Sequence, residues 1–275
     1  MIFDAAEQIY FSGNYANALR ALRNYIETYP EGEKVGQAHY YMAESYRKQG
    51  RKEFAADAYE KALESVTGET AESATRNYAD LTYSLGQYDK SATAYEKLIG
   101  LTSSDEVRAA ARLGLIRSEY GGRHYMRAIG EVEKLRSESP DEASLRQADF
   151  IAAKSYIVLG NRESANPILT ELSADVSDAI GAESAYILIE EAYNRGDFAT
   201  LETKVYEFAD KKSDQVYWLA KSFIALGDSF ADRGDFEQAQ ATWQSIADNY
   251  KSSGRQDDVP EQVQMRLMKI KSKIK

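Results

Sequence analysis

Apolar residues recur along this chain at spacings of three and four and almost never in strict alternation, so the sequence predicts helices throughout and no sheet. The helical stretches are interrupted at near-regular intervals by a glycine, often followed two residues on by an aromatic. The series is Gly13-Asn-Tyr15, Gly50-Arg-Lys, Gly86-Gln-Tyr88, Gly121-Gly122, Gly160-Asn, Gly196-Asp-Phe198 and Gly234-Asp-Phe236. Successive intervals are 37, 36, 35, 39, 36 and 38 residues. A helix ends readily on a left-handed residue, a conformation that costs little only for Gly or Asn, so each of these glycines is predicted to close one helix and open the next. The predicted unit is helix, tight turn, helix, seven times over.

A second set of turns separates one pair from the next: Tyr29-Pro30-Glu31-Gly32, Thr67-Gly68, residues 100–104, Ser139-Pro140-Asp141, and residues 173–178 and 211–214. Pro30 and Pro140 stop the helices before them, and Ser104, Asp141 and Asp178 are predicted N-caps. Pro167 is expected in the first turn of a late-starting helix behind Ser164, where its missing N–H costs little. Past Tyr250, residues 251–258 read as a polar loop. Val259 to Ile274 reads as a last helix with Val263, Leu267, Ile270 and Ile274 on one face. The predicted organisation is a helical array over residues 1–250, then a loop and capping helix over 251–275, without an interdomain linker.

The last repeat carries Phe223, Leu226, Gly227 and Phe230 in its first helix and Ala239, Trp243 and Ile246 in its second. The second repeat carries Met42-Ala43, Tyr46, Ala55, Tyr59, Ala62 and Leu63, and the first keeps Ala18 and Pro30. With these residues the chain resembles the tetratricopeptide repeat family over residues 2 to 250. The family puts an aromatic, a Leu-Gly pair and an aromatic in the first helix and Ala, an aromatic and a small residue in the second; Ile246 departs from the last of these. The resemblance implies an all-α fold, a right-handed superhelix of helix-turn-helix repeats, with Gly227 and Ala239 meeting where two helices cross. Repeat four keeps Leu113-Gly114 but needs two extra turn residues to reach Ala128, and repeat six has Leu201 where Ala is expected. The Tyr25 to Pro30 turn and the Tyr-rich run His39 to Tyr46 resemble a subgroup found in bacterial envelope-assembly proteins. That likeness implies a periplasmic or envelope-associated protein, with a cytoplasmic one left open.

Composition narrows the chemistry. Thirty-four Lys and Arg against 44 Asp and Glu give a net charge of -10, which argues against nucleic acid as a main ligand and against the RNA-reading repeats of similar period. The sequence contains no apolar run of about 18 residues, so no transmembrane helix is predicted. Zero cysteines remove disulfides and thiolate chemistry, and two histidines, His39 and His124, leave little for metal or His-based catalysis. Gly121-Gly122-Arg123 lacks the strand and the Lys-Ser/Thr of a phosphate loop. No enzyme and no cofactor are predicted. The 20 tyrosines are expected to fill the wedges between repeats. Arg266, Lys269, Lys271, Lys273 and Lys275 against Glu261 make the last helix basic, either a docking tail or a cap with a soluble outer face.

The family resemblance implies a concave face, lined by the first helices, that holds a peptide or helix of a partner protein. Six residues before each turn glycine stand Glu7, Glu44, Asp80, Leu115, Lys154, Glu190 and Asp228; ten before stand Phe3, Tyr40, Arg76, Ala111, Phe150, Tyr186 and Ile224. Acids interleaved with aromatics suit a basic and apolar segment, or only keep a wide face soluble. Some family members grip a peptide C-terminal carboxylate with Lys, Asn and Arg at fixed places. Asn77, Arg108 and Arg112 fall at such places, Tyr40 and Glu44 occupy two others, and Glu44 would repel a carboxylate. The predicted activity is a non-enzymatic protein-interaction scaffold. The alternative is a structural segment of a longer envelope-associated chain that associates end to end through Ile2, Ile9 and Phe11.

Overall fold

The computed structural model describes residues 2–138, 140–251, 257–271 and 273; Ser139, Ile274 and Lys275, named above, lie outside them. The described residues hold fifteen α-helices. The first of each pair are α1 (Ile2–Phe11), α3 (Val35–Lys48), α5 (Gly68–Ser84), α7 (Asp105–Gly121), α9 (Glu142–Val158), α11 (Ala179–Asn194) and α13 (Val216–Asp232). Their partners are α2 (Tyr15–Thr28), α4 (Lys52–Ala62), α6 (Tyr88–Leu101), α8 (Tyr125–Ser137), α10 (Arg162–Leu172), α12 (Phe198–Asp210) and α14 (Phe236–Asn249), and α15 (Val259–Ile270) follows. They form two compact units, residues 1–155 and 156–275.

Every first helix ends two residues before a residue of positive φ, between 66° and 82°. Its N–H bonds the carbonyl three residues back, and in six of the seven pairs the next N–H reaches the carbonyl five back, as in Arg51 to Tyr46 and His124 to Glu119. This is the Schellman closure, which satisfies carbonyls the helix leaves unpaired. In six pairs the left-handed residue is the predicted glycine. In the fourth it is Arg123, because α7 runs on through Gly121. Counted from Arg123 the intervals become 37, 36, 37, 37, 36 and 38, so repeat four has no extra turn residues and the irregular 35 and 39 disappear.

Five residues past each left-handed residue stand Ala18, Ala55, Ser91, Ala128, Ala165, Leu201 and Ala239, all fully buried. The next residue after the turn caps the second helix where it can: Asn14, Asn161, Asp197 and Asp235 each accept an N–H from three residues on. Ser104, Asp141 and Asp178 cap as the sequence predicts. The cap at Asn161 corrects the reading of Pro167: α10 starts at Arg162, and the proline sits inside it, five residues on.

Two first-helix glycines make room for rings of the second helices. A Cβ on Gly227 would lie 2.2 Å from Nε1 of Trp243, and one on Gly114 would lie 2.3 Å from Cζ of Tyr95. Gly227 therefore packs under the Trp243 ring, one turn along α14 from the buried Ala239. In the second unit Val259, Val263 and Ile270 of α15 are buried in a cluster with Ala220, Ile224, Trp243 and Ile246, so this helix covers the α13–α14 pair.

Candidate functional site

Counting from the left-handed residues fixes the first-helix face. Six residues before them now stand Glu7, Glu44, Asp80, Arg117, Lys154, Glu190 and Asp228; Arg117 replaces Leu115, which is buried in the core. The series therefore has two basic members in the middle, Arg117 on α7 and Lys154 on α9.

Most of these side chains are already bonded within the protein. Glu44 is 5% exposed; it accepts the hydroxyl of Tyr59, the Nδ2 of Asn77 at 2.9 Å and the Arg47 guanidinium at 2.6 Å. It thus ties α3 to its own partner α4 and to α5 of the next pair. Burial first, then the Glu44 hydrogen bond, hold the Tyr59 phenol well above its ordinary pKa. Glu7 accepts Tyr41 of α3 at 2.9 Å, Asp80 accepts Tyr95 of α6, and Glu190 accepts Tyr186 one turn back at 3.0 Å. Both carboxylate oxygens of Asp228 meet the Arg266 guanidinium, at 2.6 and 2.7 Å, so half-buried Arg266 ties α15 to α13. Arg117 donates to Gln147. Lys154 lies 5.0 Å from the ring centroid of buried Phe150.

The three places of the carboxylate grip are not brought together as open donors. Asn77 donates to Glu44. Arg112, its side chain 11% exposed, is held by both Glu131 and Glu138, and Arg108 pairs with Asp105 and donates to the Thr102 carbonyl at 3.1 Å. In the corrected register they also stand fifteen and eleven residues before the left-handed residue, two places off the thirteen and nine that the glycine count gave them.

On the first-helix face of the first unit this leaves Tyr40 half-buried and Arg76 and Asp80 exposed. In the second unit Tyr186 stacks on Trp218 at 5.4 Å, Tyr217 packs edge-on against Trp218 at 4.9 Å, and Glu190 is exposed beside them. Lys221, 6.0 Å from the Tyr186 centroid, pairs with Asp258 at 3.1 Å. The sequence reading missed Arg117 and Trp218. The uneven 35 and 39 spacing was the available signal for the first; Trp218 lies sixteen residues before its glycine, outside the two rows that were counted.

His124 sets Nδ1 2.9 Å from Glu119, which also meets Arg127, and burial lowers the pKa of His39. Among the described residues no group of three or more His, Asp or Glu is placed to hold a metal ion, and no helix is long and apolar enough to cross a membrane.

Sequence profiles described as tetratricopeptide repeat match residues 4–70, 42–106 and 216–253. No curated protein sequence matches the chain. Among solved structures, the C-terminal part of a TPR repeat-containing protein from Cytophaga hutchinsonii aligns at 15% identity over 94% of this chain and 98% of that one, TM-score 0.59. A tetratricopeptide repeat protein from Parabacteroides merdae aligns at 17% identity over 97% of both chains, TM-score 0.50. The profiles, the seven helix pairs closed by left-handed residues and these shared folds agree: the chain belongs to the tetratricopeptide repeat family.

Proposed function

We propose that the protein is a non-enzymatic interaction scaffold whose first-helix faces each hold an extended peptide or a helix of a partner protein. What carries this reading is half-buried rings beside charges that stay exposed although each has a partner within the protein: Tyr40 with Arg76 and Asp80 in one unit, and Tyr186 and Trp218 with Glu190 in the other. Rings supply most of the affinity at such surfaces, while single exposed charge pairs add about 0–1 kcal/mol each and chiefly set orientation. Glu44, Asn77, Arg112 and Asp228 act behind them, holding the helices that present the rings. Phe150 and Lys154 extend the first-unit face toward a ligand of mixed charge.

The test uses a partner isolated with the whole chain as bait. Trp218→Ala, and separately Arg76→Glu with Asp80→Lys, are compared with Glu237→Lys, an exposed change on a second helix. At least one first-helix variant is expected to weaken binding by about tenfold or more, as loss of an interface anchor does. If both bind as the parent does while Glu237→Lys fails, the first-helix face is not the site.

The exposure of Phe11, 69%, and Ile2, 40%, favours a second reading, association of copies end to end. Light scattering of Phe11→Glu against the parent decides it: the reading requires a mass that rises with concentration in the parent and not in the variant.

A further inference from the structure

A cleft of about 470 Å³ opens along α13 between the second helices α12 and α14. Its floor is Val216, Leu219, Phe223 and Leu226, one stripe of α13 about 15 Å long at 1.5 Å per residue. One wall is Tyr206 of α12, 48% exposed, and the other is Gln238, Thr242, Ser245 and Asn249, one stripe of α14 without a charge. Thr242 and Asn249 spend their donors on their own helix, bonding the carbonyls of Gln238 and Ser245. Among the described residues Lys251, at one end, is the single charged one lining the cleft.

The matching crevice one pair earlier, over α11 between α10 and α12, holds about 40 Å³ and is lined by Lys204, Glu207 and Lys211 among others. Eleven residues before the left-handed residue stands Phe223, where the other pairs carry Ile2, His39, Thr75, Arg112, Asp149 and Ala185. Among the six pairs that follow a second helix of an earlier pair, the last alone puts apolar bulk at this place, and Phe223 is half-exposed there. A floor of three helical turns between two parallel ridges has the length and periodicity of a helix-in-groove site.

We infer that this cleft is a second docking site, on the second-helix side of the protein, for an amphipathic helix of a partner. The incoming helix places apolar residues at i, i+3 or i+4, and i+7 on the α13 stripe and neutral polar residues against α14. Its acidic or C-terminal end lies at Lys251, where opposite charge meets the negative end of the helix dipole. The charge-free walls and the lone cation select this occupant over a basic or highly charged segment. The site goes beyond the first-helix faces of the proposed function and does not depend on them.

The test sorts a display library of helix-forming peptides about four turns long, randomised on one face, against the whole chain. Selected peptides are expected to carry the apolar stripe with an acidic C-terminal turn. They should bind Ala241→Glu with Thr242→Glu about tenfold or more weakly, and Lys251→Glu several-fold more weakly, because Ala241 and Lys251 are exposed and Thr242 is half-exposed at the cleft wall, so the changes fill the cleft or reverse its charge. Binding should be unchanged by Trp218→Ala, which separates this site from the first-helix face. Peptides without the stripe, or equal binding to the Glu pair when its melting matches the parent, overturn the proposal. So does dodecanoate filling the cleft while no peptide is enriched, or a dimer of the chain that the Glu pair dissociates.

Discussion

Glu44 shows how a residue type can be read correctly and its role missed. Its place on the first-helix face follows from the repeat, and an acid on that face reads as a ligand-facing charge. The structure gives the carboxylate three internal donors instead, from Tyr59, Asn77 and Arg47. Arg47 is one helical turn on and readable as a pair, but Tyr59 and Asn77 lie 15 and 33 residues away, where nothing in the sequence announces the bond. Glu44→Ala leaves the Tyr59 hydroxyl and the Asn77 amide unmet in a buried place and should cost about 3 kcal/mol. Glu44→Gln keeps an acceptor for both and should cost less. Urea unfolding of the two variants checks the order; equal losses would mean that packing, and not hydrogen bonding, fixes this site.

At the scale of the element, Arg123 is the position where residue type and backbone part company. Six turns announce themselves by glycine, so the helix pairs were legible to within a few residues. The fourth was legible as a turn but not in register, because a glycine pair two residues upstream offered a better-looking candidate than an arginine does. An L-residue held at φ 66° carries strain of about 1 kcal/mol that glycine escapes. Arg123→Gly should therefore raise stability by up to about 1 kcal/mol, less the greater freedom glycine has when unfolded. Gly86→Arg should lower it by a similar amount. Thermal melts of the two variants should move in opposite directions, and a loss in Arg123→Gly would count against the left-handed assignment.

Over the whole molecule the tyrosines do more than fill wedges. Among the described residues eight phenols donate to carboxylates, four in each unit: Tyr41, Tyr59, Tyr78 and Tyr95, then Tyr186, Tyr193, Tyr217 and Tyr250. The excess of acid and the excess of tyrosine, read from composition as two separate facts, are partners in one set of bonds. Burial first, and the carboxylate after it, push the Tyr41 phenol up to about 12 and the others in the same direction. Because the folded value lies above the unfolded value near 10, the folded chain holds protons that the unfolded chain has lost. Stability is thus fully present below pH 10 and falls as pH rises through the folded values. Phenolate absorbance should lag in the native protein and appear together with loss of helix. A native titration centred near 10 would contradict these bonds. The even spacing of the left-handed residues has a consequence for how such a chain can be edited at the level of its gene. Residues 87–123 run from one past Gly86 to Arg123, one full period, and their excision joins Gly86 to His124 with a left-handed residue still ahead of α8. The cut removes α6 and α7 together, and with them both Tyr95 and Gly114, so neither half of that close contact is stranded against an unmatched neighbour. Loss or duplication of a whole period between equivalent points leaves every remaining turn closed, whereas a cut of any other length shifts the small residues out from under the rings.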